Sequence, residues 1–131
     1  MIPARLERMR DLRGFLEAFC ASEGIRREQS LRLNLVLEEL FTNTVRHGHG
    51  GDSDAPVWVT LARSGKLVWL TYEDYAPPFN PYAKLAMQSP NTTIGSRKLG
   101  GLGVMLTREM ASSQDYAYLF GRNRIRLALV A

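Results

Sequence analysis

The chain has 131 residues, 45% apolar and 23% charged, which is the length and mix of one soluble globular domain with a core of its own. That excludes disorder for the bulk of the chain. Apolar runs of only a few residues exclude a bilayer-spanning segment, and the single cysteine, Cys20, excludes an internal disulfide. The net charge is +4, but the arginines are scattered from Arg5 to Arg126 among 13 acidic residues. No basic run or recognition module supports nucleic acid, whereas arginine suits ion pairs with an acidic protein partner.

The opening MIPARLERMRDLRGF carries scattered charge and no apolar stretch of a signal peptide, so a cytoplasmic location is expected, with no membrane contact. Residues 3–22 read as an amphipathic helix, with Leu6, Met9, Leu12, Phe15, Leu16 and Phe19 at helical spacing and Pro3 in a first-turn position. Spacing alone does not separate core from interface for Met9 and Leu12. After a break at SEGIRREQ, residues 30–47 read as a second, strongly apolar helix that Gly48 would end. Residues 48–56 are a loop by composition. Two β-rich runs follow, Val57 to Ala62 and Leu67 to Tyr72, joined by the hairpin turn RSGK. EDYAPPFNP, residues 73–81, is a proline-bound turn, and residues 82–99 read as a short helix and a loop. Residues 100–113 open with glycines and continue as a helix. Asp115 to Phe120 and Ile125 to Val130 form a second strand pair, joined by the turn GRNR. Strand pairs separated by helices predict one α+β domain over residues 1–131: a two-layer sandwich with a mixed, mostly antiparallel sheet and helices on one face.

Three constellations could carry chemistry. On the second helix, Leu33, Val36, Leu37 and Leu40 share a face that should meet the sheet, while Leu31, Leu35 and Val45 lie on a far side that another helix would cover. Between them Glu39, Asn43 and His47 form a polar stripe at i, i+4 and i+8, with Glu38 pointing away. The plain alternative is a solvated flank and a satisfied helix polar. In EDYAPPFNP, Asp74 can accept a ligand's hydrogen bond, or bind its own turn amides. In GGLGV, Gly101 and Gly103 leave backbone N–H groups open to an anion at a helix start, or simply cap it.

In this order the three resemble a known family, the Bergerat-fold ATPases of sensor histidine kinases, type II topoisomerases, mismatch-repair proteins and heat-shock chaperones. Within it the chain looks most like the small stand-alone anti-sigma-factor serine kinases of bacteria. LEELFTNTVRHG resembles the N box, EDYAPPFNP the first glycine box and GGLGV the second, and GRNR between the last strands is typical of the subgroup. The match covers roughly residues 5–130.

The resemblance implies ATP and Mg²⁺ as ligands. Asn43 would hold Mg²⁺ through its amide oxygen, a hard ligand for a hard ion. Glu39 would accept the proton of an attacking hydroxyl, and Asp74 would accept the hydrogen bond of the adenine amino group. Ala76, Pro78, Lys98, Gly101, Leu102 and Gly103 would line the nucleotide, with residues 82–99 as its lid. His47 would only pack against or cap the helix end. The implied activity is phosphorylation of a Ser/Thr on a small antagonist protein, with a sigma factor as the exchanged partner and a homodimer as the assembly. Two positions depart from the pattern: Ala76 stands where the first glycine box has glycine, and Leu99 where family kinases place arginine, with Lys98 or Arg97 nearby as a substitute charge. They favour the alternative of a non-catalytic, partner-sequestering module that keeps the fold.

Overall fold

A computed structural model describes residues 1–80 and 113–131. The segment 82–99, the helix expected over 100–113 as far as residue 112, and the residues Lys98, Gly101, Leu102 and Gly103 lie outside the described residues; Ser113 belongs to a strand.

The chain begins with a two-residue strand, β1 (Ile2–Pro3), and a 3₁₀ turn at Leu6–Arg8. Helices α1 (Met9–Glu23) and α2 (Arg27–Asn43) follow, and α2 runs on into a π turn at Thr44–Gly48. The strands are β2 (Pro56–Ser64), β3 (Leu67–Asp74), β4 (Ser113–Leu119) and β5 (Arg122–Val130). They form one sheet in the order β1-β2-β3-β5-β4, antiparallel at each described pairing. The α+β architecture is as expected, but the sheet, among the described residues, is not mixed.

Several boundaries move for local reasons. Pro3 opens no helix. Ile2 and Pro3 pair with Val57 and Pro56 at the sheet edge, where a residue lacking an N–H is tolerated. The chain is held there by Ala4 N donating to the Ala55 carbonyl at 2.9 Å and by an Arg5–Asp54 ion pair. α1 ends at Gly24, whose φ of 64° lets the amide of Ile25 turn back to the Cys20 carbonyl at 2.9 Å. α2 therefore starts three residues before the expected Ser30, at Arg27. GRNR is not the last turn. The turn falls on Phe120 and Gly121, with φ of 53° and 78°, the pair of positive values that a tight hairpin needs. Arg122, Asn123 and Arg124 consequently belong to β5.

Strand alternation divides the sheet into two faces. Val57, Val68, Leu70, Tyr72, Ile125, Leu127 and Leu129 point inward and are buried with Leu12, Leu16, Leu33, Val36, Leu37, Leu40 and Phe41 of the helices. Each such side chain contributes about 1.5–3 kcal/mol by leaving water. The sheet-facing stripe of α2 is thus as the spacing predicts. Its far side is not: Leu31 and Leu35 are exposed, because α1 packs beside α2 instead of over it, and only Val45 is covered. Phe15 of α1 is likewise exposed, while Leu6, Met9 and Phe19 pack partly buried against the core. Among the described residues no helix is long and apolar enough to cross a membrane.

Candidate functional site

Asp74 is the last residue of β3, in phase with Val68, Leu70 and Tyr72, so the strand drives a carboxylate into the core layer. A buried charge is tolerated only where hydrogen bonds replace water, and here three donors converge on it. Thr44 Oγ1 lies 2.7 Å from Oδ2. Asn123 Nδ2 donates to Oδ1 at 2.9 Å, and the amide of Ala76 donates to the same oxygen at 3.2 Å. A carboxylate has about four acceptor positions. Among the described residues three are filled, and the fourth, on Oδ2, is left for a further N–H or O–H donor.

The proton arrangement follows from the partners. Thr44 has one hydroxyl proton and three neighbours: Asp74 Oδ2, Tyr72 OH and the Leu40 carbonyl at 3.0 Å. The charged acceptor takes it, because charge-assisted bonds are the stronger ones. Tyr72 then supplies its own proton to Thr44 Oγ1 or to the Leu40 carbonyl, 3.2 Å away. Complete burial pushes the Tyr72 phenol well above its ordinary pKa, so it stays a donor.

Asn123 is the second organiser. It sits opposite Asp74 on β5 and is itself buried. Its amide also faces the carbonyls of Ala76 at 2.9 Å and Pro77 at 3.1 Å, and its oxygen accepts from Phe79 N at 3.0 Å and from the Tyr116 hydroxyl. One side chain thereby fixes the turn from Ala76 to Phe79 as well as the carboxylate. Pro78, a nucleotide contact by resemblance, is exposed on this turn.

The C-terminal end of α2 meets this group through its π turn. The bond from His49 N to the Thr44 carbonyl at 2.9 Å spans five residues, so the last turn is widened by one residue. Thr44 faces Asp74 in α-helical phase with Leu33, Leu37 and Leu40, and beyond it, on the widened turn, His47 is exposed to solvent, so the stripe Glu39, Asn43, His47 breaks after Asn43. Glu39 and Asn43, one turn apart, remain half-buried on α2 beside Thr44. Glu38 does point away, to an ion pair with Arg13 of α1. Among the described residues Oε1 of Glu39 is buried and has no hydrogen-bond partner, and burial raises the carboxyl pKa.

Ala76 fits where glycine was expected. It is buried, and its φ is not positive, since Phe120 is the one non-glycine with positive φ among the described residues. Its methyl is directed at Gly48 of the π turn: a Cβ built on Gly48 would lie 2.6 Å from Ala76 Cβ. The Ala76 methyl takes the space that Gly48 leaves open, and the contact closes α2 onto the turn after β3.

The family profile for histidine kinase-like ATPase domains matches residues 2–129. The chain belongs to that family. No curated protein matches it. Domains of the family bind ATP, typically with Mg²⁺. The residues present fit those ligands: the Asn43 amide oxygen and the Glu39 carboxylate on α2, and the buried Asp74 carboxylate with, among the described residues, one acceptor position left. Among the described residues no group of three or more His, Cys, Asp or Glu side chains could hold a metal ion.

Sequence reasoning named Glu39, Asn43, Asp74 and Ala76, and the fold brings the turn that carries Asp74 and Ala76 against the end of α2. It missed Thr44 and Asn123. Both were detectable as polar residues in apolar phase: Thr44 continues the stripe Leu33, Leu37, Leu40, and Asn123 the alternation Ile125, Leu127, Leu129.

Proposed function

We propose that this histidine kinase-like ATPase domain is an ATP-binding regulator of the anti-sigma type, which transfers phosphate to a Ser/Thr of a small antagonist protein. A sigma factor is the partner exchanged. The observation that carries the reading is the Asp74 carboxylate, held rigid by Thr44, Asn123 and the Ala76 amide with one acceptor position left. That is what recognition of a single exocyclic N–H requires, and it selects adenine over a base that presents a carbonyl there.

In this reading Asp74 binds the adenine amino group, and Asn43 holds Mg²⁺ by its amide oxygen. The metal supplies neutralising charge at the phosphates when bound. Glu39 accepts the proton as the substrate hydroxyl oxygen forms its bond to the γ-phosphorus and the bond to the departing ADP oxygen breaks. A raised pKa suits a group that must take up a proton and release it. The phosphate then adds about two negative charges at the antagonist's surface and separates the complex.

The test is transfer from γ-labelled ATP to the antagonist by wild-type protein and by Glu39→Gln. The reading expects label on a Ser/Thr with wild type and none with the variant. Transfer at the wild-type rate by Glu39→Gln contradicts the base assignment. Leu99, in place of arginine, favours a second reading, a partner-sequestering module with little chemistry. ATP binding without transfer by wild type would decide for it.

A further inference from the structure

The sheet has a second face that the described helices do not use. β5 sets Arg122, Arg124 and Arg126 on it in alternation with the buried Asn123, Ile125 and Leu127. The register places Trp58, Trp69, Thr71 and Glu73 on the same face, with Asp115 of β4 beyond. Arg122 is spoken for: its guanidinium stacks 3.7 Å from the Trp58 ring centre and lies 3.6 Å from Glu73. Arg126 lies over Trp69 at 5.3 Å. Among the described residues, neither Arg124 nor Arg126 makes an ion pair, and the Nε of Arg124 is buried with no acceptor. Leaving such a donor buried and unpaired is costly.

We propose that this face docks an acidic, extended segment of a partner protein lying along β5. The inference rests on the sheet face alone and does not depend on the nucleotide reading. Outward residues of a strand repeat every ~6.8 Å, and an extended peptide carrying carboxylates at alternate positions has the same repeat. The segment's carboxylates accept forked hydrogen bonds from Arg124 and Arg126, whose planes are suited to that geometry. Nucleic acid fits worse. Arginines already lie over the tryptophans that would stack bases. A second copy fits worse too, since face-to-face pairing brings one arginine row against the other.

The chain's two tryptophans both lie on this face, so intrinsic fluorescence reads it directly. The probe is a capped decapeptide of alternating Glu and Thr, titrated at low salt. The expected result is a saturable shift in tryptophan emission that weakens as salt rises. Affinity falls about tenfold or more in Arg124→Gln/Arg126→Gln, the loss of one charge-assisted bond or more. Arg126→Glu, at an exposed position, gives the same direction without disturbing the strand. The absence of a saturable shift overturns the proposal. So does unchanged affinity in both variants, or tighter binding of an oligouridylate of equal charge.

Discussion

Replacing Thr44 by valine isolates the bond that joins α2 to the Asp74 carboxylate. Valine keeps the shape and β-branching, so no cavity opens and helix propensity barely changes. What disappears is the charge-assisted hydrogen bond of 2.7 Å to Asp74 Oδ2 and the contact of the Tyr72 hydroxyl with Thr44 Oγ1. Tyr72 retains the Leu40 carbonyl at 3.2 Å, and Asp74 retains Asn123 and the Ala76 amide on Oδ1, but Oδ2 is left with no partner among the described residues. The loss is therefore about 2–3 kcal/mol, the range for a buried charged acceptor deprived of its bond. In a urea titration the midpoint falls while the slope stays constant, because the surface exposed on unfolding is unchanged. Stability within about 0.5 kcal/mol of wild type, the scatter of neutral surface changes, would refute the claim that Thr44 holds Asp74 in place.

Three further outcomes follow from the same geometry. Asn123→Ala takes the buried donor from Asp74 Oδ1 and from the Ala76 and Pro77 carbonyls, while Phe79 N keeps the Tyr116 hydroxyl, and lowers stability by about 3–5 kcal/mol in the same titration. Gly48→Ala forces two Cβ atoms to 2.6 Å and costs about 1–3 kcal/mol, as overpacking does, whereas Gly48→Ala/Ala76→Gly recovers most of it by thermal melting. Burial raises the Glu39 pKa, so the folded state favours the protonated carboxyl. That contribution is complete below the unfolded pKa and is lost as pH rises through the folded one. Glu39→Gln should accordingly melt higher than wild type at pH 7, with the gain vanishing toward pH 4; a constant difference across that span would contradict the assignment.

The parts of the fold that depend on apolar periodicity were legible in the sequence. The stripe of α2 predicted which of its residues meet the sheet, because burial of one face is what the spacing encodes, and the β-rich runs located β3 and β5. Boundaries set by single backbone choices were not. Pro3 could open a helix or edge a sheet, and only the pairing of Ile2 with Val57 decides. Phe120 takes a positive φ that composition assigns to Asn or Gly, so the last turn was placed one residue late. The exposure of Leu31 and Leu35 depends on where α1 crosses α2, a tertiary fact. At the site, residue types at family spacing named Asp74 and Asn43. The π turn after Thr44 has no signature in the sequence, and Asn123 was read as a turn residue when it is a buried strand residue.

The central claim is that Asp74 is the base-recognising end of an ATP site. It is tested most directly by calorimetry of ATP with Mg²⁺ on wild type, Asp74→Asn and Asn43→Ala. Asparagine preserves the size of Asp74 but turns an N–H₂ donor toward Thr44 and the ligand, so one buried contact becomes a mismatch. The account predicts saturable binding by wild type, weakened about 10- to 100-fold in Asp74→Asn, the cost of one unpaired buried polar group. Asn43→Ala should lose the Mg²⁺-dependent part of the affinity and leave the rest. Equal affinity in wild type and Asp74→Asn, or no binding by wild type, would contradict the account.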